Sequence, residues 1–532
     1  MTRRPARLRR LPALGAALAL SVTAAPGCAP TGAASPDASV SGTPDRETTA
    51  VARPAPVRVE EGAARALPPH FFGVNANLVG FDRPWQRPEL LQAVRDLRLQ
   101  TVRYPGGSVG NVWDWDAGWI AADVDPADMV PFIREGRLWE SPNRYPLEDV
   151  ARLHRETGVE VVFMLNVLTR DLGHARRALR RADSLGVPVR YVELGNEVYY
   201  DLPLETRVYP TPEDYGRTAQ AWIDALRGDF PDAEFAVVAG GPRRHPRQRR
   251  WDERVMASAP SADAVTHHVY SSSGLRGRER AFTAGAEGRV EGDGPTRSPR
   301  ERQRAALDTL RTAAGISRMM ATALGRGAAA RAWEAPPGGV WVTEWSFSGA
   351  DDAARGTWAN ALFVAALYHA FLDADAVRLV SYHNLVGQVF PAVFTDTLGF
   401  SHVLGPRPSS TPGALSAGGV ATRLVAGAAA GHAEAVRLRF PGGPTVRADG
   451  DPFPAVVGWA FRGGPGPERT LLVNLSDQAV WLAGLAGGAG ETVTAPPDRY
   501  VDGLASLDTH PAEVGAGALA LPPLSVTTLE AR

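Results

Sequence analysis

The chain has 532 residues, room for about two domains when one is a large barrel, and its 57 basic residues against 58 acidic ones leave a net charge of -1. That balance gives no electrostatic case for nucleic acid or an anionic membrane surface and points to a small or neutral ligand. Every basic residue is arginine, which GC-rich coding bias suffices to explain, and this excludes Schiff-base aldolase, pyridoxal-phosphate and P-loop chemistries that need a lysine amine.

At the start of the chain, arginines at positions 3, 4, 7, 9 and 10 precede an apolar run over 11–25, the build of an export signal and too short for a membrane span. The run ends in Ala25-Pro-Gly-Cys28, similar to a bacterial lipoprotein cleavage box. Residues 1–27 are therefore expected to be a signal peptide and Cys28 the lipidated anchor, with ordinary secretion as the alternative; either way the mature protein works outside the cytoplasm. A single cysteine makes neither an internal disulfide nor a cysteine-based zinc site. Residues 28–57, rich in Pro, Ala and Ser, have too few large apolar side chains to bury a core and read as a tether.

From residue 58 to 400, apolar and β-branched runs alternate with amphipathic stretches, the pattern of repeated βα units. Eight such runs occur, at 71–78, 101–104, 159–167, 189–194, 234–239, 264–270, 340–344 and 377–383, and eight is the number that closes a (β/α)8 TIM barrel. Helices are predicted over 88–97, 147–156, 174–184, 212–226, 303–324 and 358–372. Thr211 followed by Pro212, Glu213 and Asp214 marks the start of one of them.

Barrel active sites are built on the loops after the strands. The polar residues collect there: Asn75 and Asn77 at the first run, Arg103 and Gly106-Gly107-Ser108 at the second, Asn166 at the third, Asn196 and Glu197 at the fourth. His267, His268 and Tyr270 end the sixth, Glu344 the seventh, and Tyr382, His383 and Asn384 the eighth. Residues 271–300 lack an apolar period and read as a long loop on the same face, either a lid or a surface insert. Beyond 401 short β-like runs punctuated by Gly and Pro predict an all-β sandwich over 401–532, to which the segment before the barrel could add strands.

Two glutamates at strand ends suggest glycoside hydrolysis, in which one carboxyl protonates the leaving oxygen and a second attacks the anomeric carbon. One such glutamate alone is commonplace, as a solvated carboxylate or an arginine's partner. A metal reading of His267, His268 and His383 is weak, because adjacent strand residues face opposite ways; neither metal nor cofactor is expected. Trp113, Trp115, Trp119 and Trp345 are candidates for stacking on sugar faces, with core packing the equal alternative for each.

On these residues the chain resembles the clan A glycoside hydrolases, which place Asn-Glu after strand four and a nucleophilic Glu after strand seven, as Asn196-Glu197 and Glu344 do here. Val102-Arg-Tyr-Pro-Gly-Gly-Ser108, Trp113-Asp-Trp115 and Glu193-Leu-Gly-Asn-Glu197 look most like the α-L-arabinofuranosidases and the related heparanase-like β-glucuronidases. The resemblance covers roughly 68–400 plus the sandwich, and it departs from the clan at Tyr382-His-Asn384, where a tryptophan is frequent. It implies a retaining enzyme with Glu197 as acid/base and Glu344 as nucleophile, acting on oligo- or polysaccharide arabinofuranosides. A β-glucuronidase, a β-xylosidase and a non-catalytic carbohydrate-binding lipoprotein are the alternatives. Asn196 is then expected to bind the sugar hydroxyl beside the anomeric carbon and Arg103 to keep Glu344 ionised, or else to form a structural ion pair. His268 or Tyr270 would bind Glu344 or the sugar, and Asn77, Asn166, His383 and Trp345 complete the expected substrate-binding set.

Overall fold

The computed structural model describes residues 55–532 except 77, 79–80, 242–245, 274–298, 334, 348–351, 387–390, 395–411, 449 and 516. The expected signal peptide, Cys28, most of the tether, Asn77 and most of the 271–300 loop lie outside the described residues.

Eight strands, β1 (Phe72–Asn75), β2 (Thr101–Tyr104), β3 (Glu160–Leu165), β4 (Tyr191–Leu194), β5 (Glu234–Val238), β6 (Ala264–Ser271), β7 (Val340–Phe347) and β8 (Val377–His383), pair in parallel and in sequence order around a closed barrel. They read as nearly continuous apolar runs because both faces are covered. Inward, Val162, Tyr191, Ala236, Ala264, Trp341 and Leu379 form an apolar plug of their own. Outward, the strands pack under helices α1 (Pro88–Asp96), α2 (Leu147–Thr157), α3 (Leu172–Ser184), α4 (Pro212–Arg227), α5 (Trp251–Ser258), α6 (Ala313–Ala330), α7 (Trp358–Leu372) and α8 (Ala417–Ala429). The start of α4 is a reciprocal cap: Thr211 Oγ1 accepts from the Asp214 N–H at 3.2 Å, and Asp214 Oδ2 accepts from the Thr211 N–H at 3.0 Å.

Two helices differ from expectation. The single helix expected over 303–324 is two, Pro299–Leu310 and α6, because Thr312 breaks the first and caps the second through Gly315 N–H. No helix is expected after 401, yet α8 closes the last βα unit. It is rich in alanine and glycine and buried nearly all round, so it carries no amphipathic stripe.

The β-sandwich consists of a seven-stranded antiparallel sheet and a three-stranded sheet. The larger runs Glu60–Ala66, β9 (Glu434–Arg439), β10 (Val456–Arg462), β11 (Arg469–Asn474), β16 (Ser525–Ala531), β13 (Gly488–Thr494), β14 (Asp508–Glu513). The smaller joins Val57–Arg58, β12 (Val480–Ala483) and β15 (Ala518–Leu521). Alternation along β10 explains how the layers stack. Val457, Trp459 and Phe461 join the main core with α7 and α8, while Val456 and Ala460 face Leu482, Leu519 and Leu521 of the smaller sheet. The residues before the barrel thus contribute an edge strand here.

Candidate active site

Above the apolar plug the barrel interior turns polar. Two residues beyond Tyr191 stands Glu193, and two beyond Trp341 stands Thr343, each facing the axis by strand alternation. Arg103, fully buried at the end of β2, joins three groups. Its Nε and Nη2 donate to Glu193 Oε2 and Oε1 at 2.5 and 3.1 Å, Nη1 to Glu344 Oε1 at 2.7 Å, and Nη2 also to Asn196 Oδ1 at 2.8 Å. Burial alone would lower its pKa, but the carboxylates of Glu193 and Glu344 outweigh that and raise it. Arg103 is thus both a structural ion pair and a permanent charge against Glu344.

Glu344 reaches this layer through a bulge. Between its neighbours, β7 carries one extra residue: Thr266 and His268 pair with Trp341 and Glu344, and Val342 and Trp345 pair with Val380 and Tyr382. A bulge turns two consecutive side chains to one face. Thr343 accordingly donates to Glu193 Oε1 at 2.9 Å, while Glu344 accepts from Arg103, from Asn75 Nδ2 at 3.1 Å and, on Oε2, from the Tyr270 hydroxyl at 2.5 Å. Burial would raise the Glu344 carboxyl, but His268, His383 and Arg103, with the Tyr270 bond, outweigh it and hold the group well below the usual carboxylate range. His383 is itself pushed down by burial whereas His268 is pushed up, so beside the permanent charge of Arg103 the cationic form is favoured at His268 and disfavoured at His383.

Glu197 lies beyond β4 in the left-handed region, φ 46°, and its Oε1 accepts from Tyr199 OH at 2.9 Å, Tyr200 OH at 3.4 Å and His268 Nδ1 at 2.9 Å. No bond to Oε2 is found among the described residues. His268 Nδ1 is also 3.6 Å from Glu344 Oε2. One imidazole nitrogen therefore faces both carboxylates, and their nearest oxygens are no more than about 6.5 Å apart, the two distances laid end to end. The other nitrogen, Nε2, is 3.2 Å from Thr343 Oγ1, whose hydrogen is spent on Glu193, so this nitrogen must donate. Both ring nitrogens then carry hydrogen. The raised His268 pKa agrees: burial opposes the charge, and Glu344 and Glu197 outweigh burial.

Asn196 is held on three sides. Its backbone N–H and C=O bond Asn111 at 3.0 and 2.8 Å, and Arg103, which only donates, fixes its Oδ1, leaving Nδ2 as its donor without a bond among the described residues. His383 Nδ1 accepts from Asn75 Nδ2 at 3.1 Å and lies 3.8 Å from Glu344 Oε2. Gly106 makes room for Asn75: at φ 77°, an added Cβ would fall 1.8 Å from Asn75 Oδ1.

Glu197, Glu344, Asn196, Arg103, His268, Tyr270 and His383 are thus brought together. Two expected residues are not, and the sequence reading is corrected for both. Asn166 spends both amide hydrogens on Trp113 O and Thr169 Oγ1 and its oxygen on the Leu168 and Thr169 N–H groups, so it shapes the loop and has no donor left for a sugar. Trp345 is fully buried on the outer face, edge-on to Tyr368, Phe371 and Tyr382. Trp113 and Trp115 are likewise buried, around Tyr104 and Tyr145, and Trp119 is buried against Trp113. His267 faces away from His268 and stacks on Trp333 at 4.5 Å. Among the described residues the one cluster with metal-ligand geometry, Asp114, Asp116 and His174, excludes these histidines, and Arg170 already neutralises Asp114.

Sequence reasoning assigns no role to Glu193, Thr343, Asn75, Asn111, Tyr199 or Tyr200. Glu193 carried a signal, as a charge inside an apolar strand run. The two tyrosines directly after Glu197 carried a weaker one. Thr343 and Asn111 carried none.

No family model matches the chain. Among curated proteins it is 28% identical over 204 residues to an exo-α-(1→6)-L-arabinofuranosidase of Bifidobacterium longum, covering 35% of this chain and 37% of that protein. It is 23% identical over 203 residues to an intracellular exo-α-(1→5)-L-arabinofuranosidase of Acetivibrio thermocellus, covering 35% and 39%. The matches thus span little more than a third of these relatives' length. Among solved structures, a family 51 α-L-arabinofuranosidase of Bifidobacterium longum superposes with a TM-score of 0.63 at 17% identity over 90% of this chain and 100% of that one. A 4-O-α-L-rhamnosyl-β-D-glucuronidase of Fusarium oxysporum gives 0.53 at 14% identity over 89% and 99%. The chain therefore resembles the clan A glycoside hydrolases in sequence over part of its length and shares their fold over nearly all of its described length.

Proposed function

We propose that the chain is a retaining glycoside hydrolase that releases α-L-arabinofuranosyl groups from oligo- or polysaccharides. The observation that carries the reading is the pair of carboxylates, Glu197 and Glu344, facing one nitrogen of His268. Retaining enzymes hold their carboxyls about 5 Å apart and inverting ones about 6.5 to 9.5 Å apart; the bound on the nearest oxygens is compatible with retention, which the configuration of the azide adduct below tests.

In the first step Glu344, ionised and held by Arg103, Asn75 and Tyr270, attacks the anomeric carbon. The bond to the aglycone oxygen breaks as that oxygen takes the proton of Glu197 from Oε2, the oxygen with no bond among the described residues. The product is a glycosyl ester of Glu344. In the second step Glu197, now a carboxylate, takes a proton from water; the hydroxyl joins the anomeric carbon, and Glu344 leaves as carboxylate. Esterification of Glu344 removes a negative charge beside His268, which lets Glu197 change from acid to base. Asn196 Nδ2 is placed to donate to the neighbouring sugar hydroxyl, a contact that strengthens as the anomeric carbon gains positive charge.

The arabinofuranosyl assignment rests on the curated relatives reported above, which are named for it. A glucuronide is the second reading, raised by the rhamnosyl-glucuronidase structure. Arg103 makes four bonds inside the protein, so it is not the residue that would bind a sugar carboxylate. The test is turnover of aryl arabinofuranoside, xyloside, glucoside and glucuronide by wild type, Glu344→Gln and Glu197→Ala. The expected result is arabinofuranoside turnover that is abolished by Glu344→Gln and restored in Glu197→Ala by azide as the glycosyl azide of retained configuration. Turnover that survives Glu344→Gln, or an azide adduct of inverted configuration, overturns the mechanism; glucuronide turnover alone overturns the glycone.

A further inference from the structure

Glu197 sits in a backbone conformation that L-residues other than glycine avoid, because Cβ crowds the following carbonyl. Such a residue stays there only if its surroundings fix the chain on both sides. On the N-terminal side Asn111 does so, through both backbone groups of Asn196. On the C-terminal side the loop after β5 supplies Arg247. Its Nη1 donates to Val198 O at 2.9 Å and Tyr200 O at 2.5 Å, and its Nη2 to Glu205 O at 3.1 Å and Tyr209 O at 2.7 Å. The guanidinium lies 5.1 Å from the Trp251 ring centre, and Trp251 packs edge-on against Tyr199, whose hydroxyl binds Glu197 Oε1.

We infer that Arg247 is the positioning residue of the acid/base group: it fixes the backbone after Glu197 and, through Trp251 and Tyr199, the side-chain oxygen that must not carry the proton. It touches no substrate. Four carbonyls shared between two nitrogens of one side chain suit the fixed fork of a guanidinium, and the three donors of an ammonium radiate from a single point, so lysine keeps the charge and loses the geometry. The inference rests on the proposed role of Glu197. It adds that the role is set from a neighbouring loop, with no contribution from Arg247 to the attack by Glu344.

Within the first step, protonation of the leaving group and attack by Glu344 separate experimentally by the choice of leaving group. A dinitrophenyl glycoside departs without a proton, whereas a methyl glycoside needs one. Both would be made with whichever glycone the wild type turns over, and kcat/KM, which reports the first step, measured for wild type, Glu197→Ala, Arg247→Lys and Arg247→Met. The methionine variant keeps an apolar stem over Trp251 and serves if the lysine variant does not fold. The expected result is a loss of about tenfold or more on the methyl glycoside and of less than about threefold on the dinitrophenyl glycoside in the Arg247 variants, at unchanged circular dichroism. Equal losses on the two substrates, or none on either, overturn the inference. If Glu197→Ala itself lacks the asymmetry, the acid/base assignment falls and takes this inference with it; if Glu197→Ala shows it and the Arg247 variants do not, only the inference falls.

Discussion

At the scale of single residues, the site holds two carboxylates in different surroundings. Glu344 is wrapped in donors and cations, while Glu197 has one oxygen without a bond among the described residues. The Tyr270 hydroxyl is the donor to Glu344 that can be removed with least disturbance, since Tyr270→Phe deletes one oxygen. Glu344 acts as an anion, and its pKa lies below the ordinary value in part because of that bond. Losing the bond raises the pKa, so the acid limb of kcat/KM is expected to move to higher pH while the alkaline limb stays. A pH–rate profile of Tyr270→Phe beside wild type checks this, and an unmoved acid limb refutes it. These glutamates were legible in the sequence because strand ends are easy to find. Their donors were less so. Thr343 and Asn111 matter only through partners 150 and 85 positions away, a relation that no local pattern carries.

At the scale of elements, the eight strands were readable because a parallel barrel buries both faces and so demands long apolar runs. The bulge in β7 was not, since an extra residue is defined only by what pairs on either side. Its effect on the reading was large. Strict alternation from the inward Trp341 sends Thr343 and Trp345 inward and Glu344 outward; the extra residue keeps Thr343 in, brings Glu344 in and turns Trp345 out. That is why the tryptophan expected at the sugar is in the core. The bulge also sets Thr343 between Glu193 and His268, where its hydroxyl both donates and accepts. Thr343→Val keeps the shape, orphans His268 Nε2 and leaves Glu193 Oε1 with Arg103 alone, and is expected to cost about 1–3 kcal/mol in chemical unfolding. A cost below about 0.5 kcal/mol would mean the hydroxyl is incidental to the bulge.

At the scale of the whole molecule, barrel and sandwich meet over α7, all of whose residues are buried. Its first turn is bonded to sandwich loops, Trp358 N–H to Arg499 O at 2.8 Å and Trp358 Nε1 to Leu524 O at 2.6 Å, and in its last turn His369 Nδ1 accepts from Trp459 Nε1 at 2.9 Å. Burial, with Arg437 and Arg331 nearby, depresses the His369 pKa to about 3. The folded protein keeps this ring neutral, whereas the unfolded chain protonates it below about pH 6.5. The unfolded state then binds the extra proton, so stability is whole above about pH 6.5 and falls as pH drops towards 3, by up to about 1.4 kcal/mol per pH unit. His369→Gln keeps an acceptor for Trp459 and cannot titrate. Between about pH 6.5 and 4 its melting temperature is expected to decline less steeply than that of wild type, and parallel declines would refute the assignment.

The larger sheet also sets an order of events. Its edge strand, Glu60–Ala66, pairs with β9, and its interior strand β16, between β11 and β13, is made after all the others. A growing chain can assemble βα units as they emerge, but this sheet cannot close until residue 531 has been synthesised. Until then the apolar face that will cover α7 and α8 stays open to water and to other chains. The slow, aggregation-exposed phase of biogenesis therefore belongs to the sandwich, which carries none of the proposed catalytic groups, and yield in the cell should follow how well its last strand is protected on the way in.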